Sequence, residues 1–308
     1  MTTLLDMIDE VSMNLSGYTL QQDRATHITV NVAATASTIA APITLSLAST
    51  DSVGKGIVEI DEELFWVDNY DRVGNTATIA PYGRAYLGTT LAAHTAGTKV
   101  SIAPTFPRFV IKRAINDTIS AIGSSIFAAN KTTITSNIST SAFRLPATGA
   151  SLNIRSILAV AYESIGPSKE WIPIRNYRFD SNANSTAFTS EQTISIYDMI
   201  TSGRTIQVVY STDPVPFATN ADVFTTQTGL PESCKDLVIL GATYRLLSNL
   251  DPARASMVSP QADETDSKRP YGSSQSLTKQ VYALFNQRLN EEIRNQQDKY
   301  PIRVHYSL

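Results

Sequence analysis

Residues 273–299, SSQSLTKQVYALFNQRLNEEIRNQQDK, run straight into Tyr300-Pro301-Ile302-Arg303-Val304-His305-Tyr306-Ser307-Leu308. This stretch decides the reading of the chain. Leu277, Val281, Leu284, Phe285, Leu289 and Ile293 recur at steps of three or four, which predicts one amphipathic helix over Ser273–Lys299. At 1.5 Å per residue it is about 40 Å long. Its polar face carries Lys279, Arg288, Glu291, Glu292, Arg294, Asp298 and Lys299. Pro301 lacks the amide hydrogen a helix needs and pushes the residue before it out of the helical region, so the helix breaks at Tyr300-Pro301. The tail beyond alternates apolar and polar side chains, a pattern that suits adding a strand to a partner or dropping apolar anchors into its pockets. It carries Tyr, Ile and Val, has no Gly or Glu and only one Ser, unlike a disordered terminus, which favours docking over a frayed end. The candidate partner interface is therefore Arg288, Arg294, Tyr300, Pro301, Ile302, Arg303, Val304, His305, Tyr306 and Leu308.

Upstream, Leu237, Leu240, Tyr244, Leu247 and Leu250 make a second helical stripe over 230–250, with Pro231 fitting the start and Asp251-Pro252 the end. A polar linker over 252–272 separates the two helices. Leu4, Leu5, Ile8, Val11, Met13 and Leu15 predict a short helix over 3–16. Phe109, Ile111, Ile115, Ile119, Ile122 and Ile126 predict another over 109–130. Between these lie two β-textured regions. Residues 27–102 hold five or six short alternating runs, among them Gly56–Ile60 and Leu64–Val67 around an expected Asp61-Glu62-Glu63 hairpin turn. Residues 132–225 hold eight or more short runs, including Trp171-Ile172, Tyr177–Phe179, Ala187-Phe188 and Thr205–Tyr210. No helix buries its stripe alone. The expected fold class is α+β: a helical bundle (1–24, 104–131, 229–299) with two inserted antiparallel β domains, a small barrel or sandwich over 25–103 and a β-sandwich over 132–228. The long C-terminal helix ends in an extended docking tail, 300–308.

Composition narrows the chemistry. Charged residues make up 17% of the 308, below the roughly 25% of ordinary soluble domains. A net charge of −3 gives no global attraction to nucleic acid. It equally suits a surface that lets DNA slide past. Cys234 is the only cysteine, so no intrachain disulfide or thiolate metal site forms, and its place on an apolar helix face reads as a small buried hydrophobe. The N-terminal run lacks the basic and apolar segments of a signal peptide, and no window is apolar enough to span a membrane. His27, His94 and His305 are far apart in sequence. No catalytic, cofactor-binding or metal site is expected, and His94 reads as a turn residue. The acidic group Glu59, Asp61, Glu62, Glu63 and Asp68 reads as a solvated hairpin tip rather than a cation site or a glycosidase pair. Trp66, Trp171 and the tyrosines read mostly as core.

Gly56–Val67 continues into Gly83-Arg84-Ala85-Tyr86-Leu87-Gly88-Thr89-Thr90 and Ala92-Ala93-His94-Thr95-Ala96-Gly97-Thr98-Lys99-Val100. This succession resembles a β module of tailed-phage virion proteins, in which a hairpin precedes R-(G/A)-x-x-G-T and then A-A-H-x-x-G-x-x-V. Arg84-Ala85 stands where Arg-Gly is usual. Phe106-Pro107-Arg108 with Ala114-Ile115-Asn116-Asp117 resembles the helix that follows this module in neck proteins. Leu289–Pro301 is similar to the portal-contacting end of head-to-tail adaptors. The likeness covers 1–130 and 230–308. It implies a structural, non-enzymatic virion protein of the head-tail junction, made in the host cytoplasm. It further implies a homo-oligomeric ring of twelve subunits beneath the portal protein, in contact with tail or neck proteins, passing DNA through its lumen without a membrane partner or a cofactor. The alternative is a tail or baseplate protein with carbohydrate-binding β domains, in which Trp171 and Tyr177 would line a glycan cleft.

Overall fold

The computed structural model describes residues 2–19, 24–34, 40–137, 139–146, 153–248 and 273–301. Helices and antiparallel sheets mix, as the α+β expectation holds. The chain divides into two compact units: Met1–Leu4, Asn116–Val238 and Tyr282–Leu308 in one, Leu5–Ile115 and Ile239–Val281 in the other.

In the second of these, α1 (Leu4–Thr19) buries Met7, Ile8, Val11 and Leu15. Six short strands follow: β1 (Arg24–His27), β2 (Ile43–Ser46), β3 (Gly56–Ile60), β4 (Glu63–Asp71), β5 (Thr76–Ile79) and β6 (Lys99–Ile102). They form one antiparallel sheet in the order β1-β6-β3-β4-β5-β2. Its two outer strands meet: Ile28 bridges to Leu47, the Thr29 amide donates to the Ser46 carbonyl (2.8 Å) and the Ala48 amide to the His27 carbonyl (2.9 Å). The sheet thus closes on itself, which removes exposed edges. Alternation sends Leu45, Val58, Ile60, Phe65, Val67, Ile79 and Val100 into its centre.

α2 (Arg108–Ile122) starts after Pro107, whose carbonyl accepts from the Val110 and Ile111 amides. It stops at Ile122, short of the expected Asn130. A Cβ at Gly123 would lie 3.1 Å from the Pro214 ring, and the chain from Ala128 pairs as a strand instead. Sheet pairing overrides the isoleucine periodicity there.

The other unit holds β7 (Ala128–Thr135), β8 (Ala142–Arg144), β9 (Ile154–Glu163), β10 (Trp171–Pro173), β11 (Tyr177–Asp180), β12 (Thr193–Ile196) and β13 (Thr205–Thr212). They form a four-stranded sheet, β10-β9-β13-β7, and a three-stranded one, β11-β12-β8. Leu145, Ile194 and Ile196 from the second share one core with Ile154, Val160, Ile206, Val208 and Tyr210 from the first. Ala187-Phe188, expected as a strand, is a turn in which both amides donate to the Asn184 carbonyl. α3 (Phe224–Thr228) and a 3₁₀ turn (Glu232–Cys234) lead into α4 (Lys235–Ser248) and α5 (Ser273–Lys299). In α5 Val281 and Phe285 are buried, while Leu284 is 44% exposed beside Tyr282 at 48%. The expected 252–272 linker lies outside the described residues.

Candidate functional site at the root of the tail

Two constellations stand out, one in each unit. The first is the hairpin expected to be a solvated tip, and the structure corrects that reading. Asp61 and Glu62 make the turn, but Glu63 opens β4 on the same face as Phe65 and Val67 and is 1% exposed. Its carboxylate accepts from Arg84 Nε (3.0 Å) and Nη2 (2.9 Å), from the amides of Ala85 (3.0 Å) and Ala92 (2.9 Å), and bonds His94 Nε2 (3.0 Å). The other ring nitrogen of His94 meets Asp61 at 2.7 Å. Arg84 also donates to the carbonyls of Ala33 (2.5 Å) and Ala92 (2.6 Å) and lies over the Phe65 ring. His94 is therefore a buried network member and not a turn residue; it is 2% exposed.

Burial opposes ionisation of Glu63, but the bonds from His94, Arg84 and the two amides outweigh it and hold its carboxyl down to about 2. Burial likewise disfavours charge on His94, yet Glu63 and Asp61 together raise its pKa. The result is a fully partnered ionic staple. Glu59, also buried, accepts from the Arg108 amide at the start of α2 (2.6 Å), and Lys112 pairs with Glu62 (3.1 Å). Both bonds tie α2 to the hairpin. The module motif thus builds a rigid turn. Gly83 is obligatory in it, because a Cβ would sit 2.8 Å from the Ala80 carbonyl oxygen.

The second constellation carries the expected interface. Arg288, Glu292, Gln296 and Tyr300 follow one another at four-residue steps down one face of α5, and each is tied down. Arg288 Nη1 donates to Glu291 (2.6 Å), and its Nη2 donates to Glu292 (3.0 Å) and to the Ser233 carbonyl (3.1 Å). Glu292, 5% exposed, also accepts from Ser233 Oγ (3.0 Å). Cys234 lies against the same carboxylate at 3.8 Å. Burial first, and the Glu292 charge next, push the Cys234 thiol up to about 12, so it stays protonated and inert.

The Gln296 amide accepts from the Phe127 N–H (3.1 Å) and donates to the Phe127 carbonyl (2.6 Å). The Tyr300 ring packs on Phe127 at 5.9 Å between centroids. These residues rim a cleft of about 400 Å³ lined also by Ile126, Leu230 and Pro231. Arg294 and Pro301 are exposed; Ile302, Arg303, Val304, His305, Tyr306 and Leu308 lie outside the described residues. The sequence reading missed Gln296 and Phe127, although the four-residue spacing from Arg288 to Tyr300 was available to it. Among the described residues no group of His, Cys, Asp and Glu is placed to hold a metal.

The family model for the SU10 adaptor protein matches residues 2–305. The chain belongs to this family. The expected resemblance to tailed-phage head-to-tail adaptors is thereby borne out. Membership makes the chain a structural adaptor of a bacteriophage, a virion component that works by contact with other virion proteins. No curated protein sequence matches the chain. No described helix is long and apolar enough to cross a membrane.

Proposed function

We propose that twelve copies of this adaptor form a closed ring between the portal and the tail, and that DNA passes through the lumen. The observation that carries the reading is the family match over nearly the whole chain. In this reading the helices pack as a bundle into the ring wall, with Tyr282 and Leu284 of α5 covered by a neighbour. The two sheets of the 128–212 region act as a sandwich inserted into that frame. Many weak contacts become strong because closure makes each one intramolecular in effect. A net charge of −3 keeps the lumen from holding the DNA backbone. The tail, 300–308, with Arg288 and Arg294 on the helix behind it, docks on the portal by adding a strand or by seating apolar anchors.

The test is co-sedimentation with the cognate portal. Full-length protein should travel with it, and protein lacking 300–308 should not; equal binding by both would defeat the assigned role of the tail. One observation favours the carbohydrate-binding alternative. Trp171 is 43% exposed, and Tyr177 lines a separate cleft of about 280 Å³ in the same unit. Specific retention on a glycan array, lost in Trp171→Ala, would move the assignment there.

A further inference from the structure

β7 is an edge strand: β13 is its only partner in the sheet. The Ser136 amide donates to the Arg204 carbonyl (2.8 Å), and β7 then pairs with β13 in unbroken register from Thr135↔Thr205 to Ala128↔Thr212. Antiparallel bonding alternates along a strand, so the backbone groups of Ile134, Thr132, Asn130 and Ala128 face β13. Those of Thr135, Thr133, Lys131, Ala129 and Phe127 face outward. Phe127 bears this out, since both its N–H and its carbonyl are taken by the Gln296 side chain, as a neighbouring strand would take them. Beyond Phe127, among the described residues, no backbone hydrogen bond is made on the outward rungs at Ala129, Lys131, Thr133 and Thr135.

An open edge of this kind is a template for another extended segment. The chain supplies one at the right place. α5 ends with Tyr300 packed on Phe127, beside the first free rung, and Pro301 turns the chain out of the helix. Residues 302–308 follow. Seven extended residues span about 23 Å, and the free edge from Ala129 to Thr135 spans about 20 Å. The tail alternates Ile302, Val304, Tyr306 and Leu308 with Arg303, His305 and Ser307, the pattern of a strand with one covered face. The cleft rimmed by Phe127, Leu230 and Tyr300 lies at the root of this segment.

We propose that residues 302–308 pair, in the free protein, as a fifth and parallel strand on the β7 edge of the same chain, with Ile302 seated in the cleft. Gln296 starts the ladder at Phe127 and the tail continues it. A partner that takes the tail must then displace it from β7, and in doing so uncovers the edge. The pairing does not depend on the ring or on the portal.

Amide hydrogen exchange resolved by residue tests it, on the full chain and on protein ending at Pro301. In the full chain the amides of Ala129, Lys131, Thr133 and Thr135 exchange at least tenfold more slowly than in the shortened one. Those of Asn130, Thr132 and Ile134, which face β13, stay protected in both and report that the sheet is intact. The difference persists on tenfold dilution. Equal exchange at the outward amides in the two proteins would overturn the proposal. So would protection that disappears on dilution, because it would assign the edge to a second copy's tail.

Discussion

Glu63 sits beside Arg84 and His94 with its side chain wholly out of solvent. Removing the charge from one member of such a buried set leaves the others uncompensated, which costs about 3–5 kcal/mol. Glu63→Gln is expected to lose that much in urea unfolding, whereas Asp68→Asn, at an exposed pair with Lys55, changes little. The pH dependence follows from the two shifts. His94 has its pKa raised in the folded state, so its contribution is complete below the ordinary value of 6.5 and fades as pH climbs through the raised one. Glu63 is lowered to about 2, so its contribution is complete above 4.5 and fades as pH falls towards about 2. Urea midpoints measured across pH should therefore drop as pH climbs above 6.5, and a His94→Gln variant should lose that slope. Cys234, its thiol held at about 12, should resist a thiol-labelling reagent in the native protein and react at once in urea. The sequence reading of Cys234 as a small buried hydrophobe holds, although it lies in the 3₁₀ turn ahead of α4 and not on the helix face. It misplaced Glu63, although period-two alternation with Phe65 and Val67 already set that carboxylate facing inward. The acidic run Asp61-Glu62-Glu63 drew the eye to solvent, and the partners that neutralise Glu63 lie 21 and 31 residues away.

At the scale of elements, long regular patterns were legible and interruptions were not. α1 and α5 follow their apolar stripes, with α5 spanning Ser273–Lys299 as read. α2 ends eight residues early because the strand pairing of Ala128–Thr135 with β13 is a long-range event that no local pattern records. Closure of the first sheet agrees with the barrel alternative read for 25–103, but the joint itself, Ile28 to Leu47, was not legible, since it joins strands separated by fifteen residues of undistinguished sequence. The hold on the end of α5 is a short-range matter with a clear test. Gln296→Ala removes both bonds to Phe127 and leaves its backbone groups to water. At about 1 kcal/mol per bond, the last turns of α5 should exchange their amides several-fold faster while the two sheets stay unchanged. Unaltered exchange at residues 293–300 would show that the Tyr300–Phe127 packing holds the helix without the amide.

At the scale of the whole molecule, membership of the adaptor family rests on a match over residues 2–305, and the proposed function assigns the contact surface to the tail-bearing helix. The sequence announced this scale best: the Arg84 to Val100 motif, read as the mark of a virion module, turns out to be the residues that staple one turn rigid. Exposure of Tyr282 and Leu284 on α5 suits assembly by repetition. The most direct test is negative-stain electron microscopy of the purified protein, alone and mixed with its cognate portal. The account predicts closed rings, or a portal that gains a collar, and loss of the collar when residues 300–308 are removed. Particles that stay monomeric and leave the portal bare would contradict it.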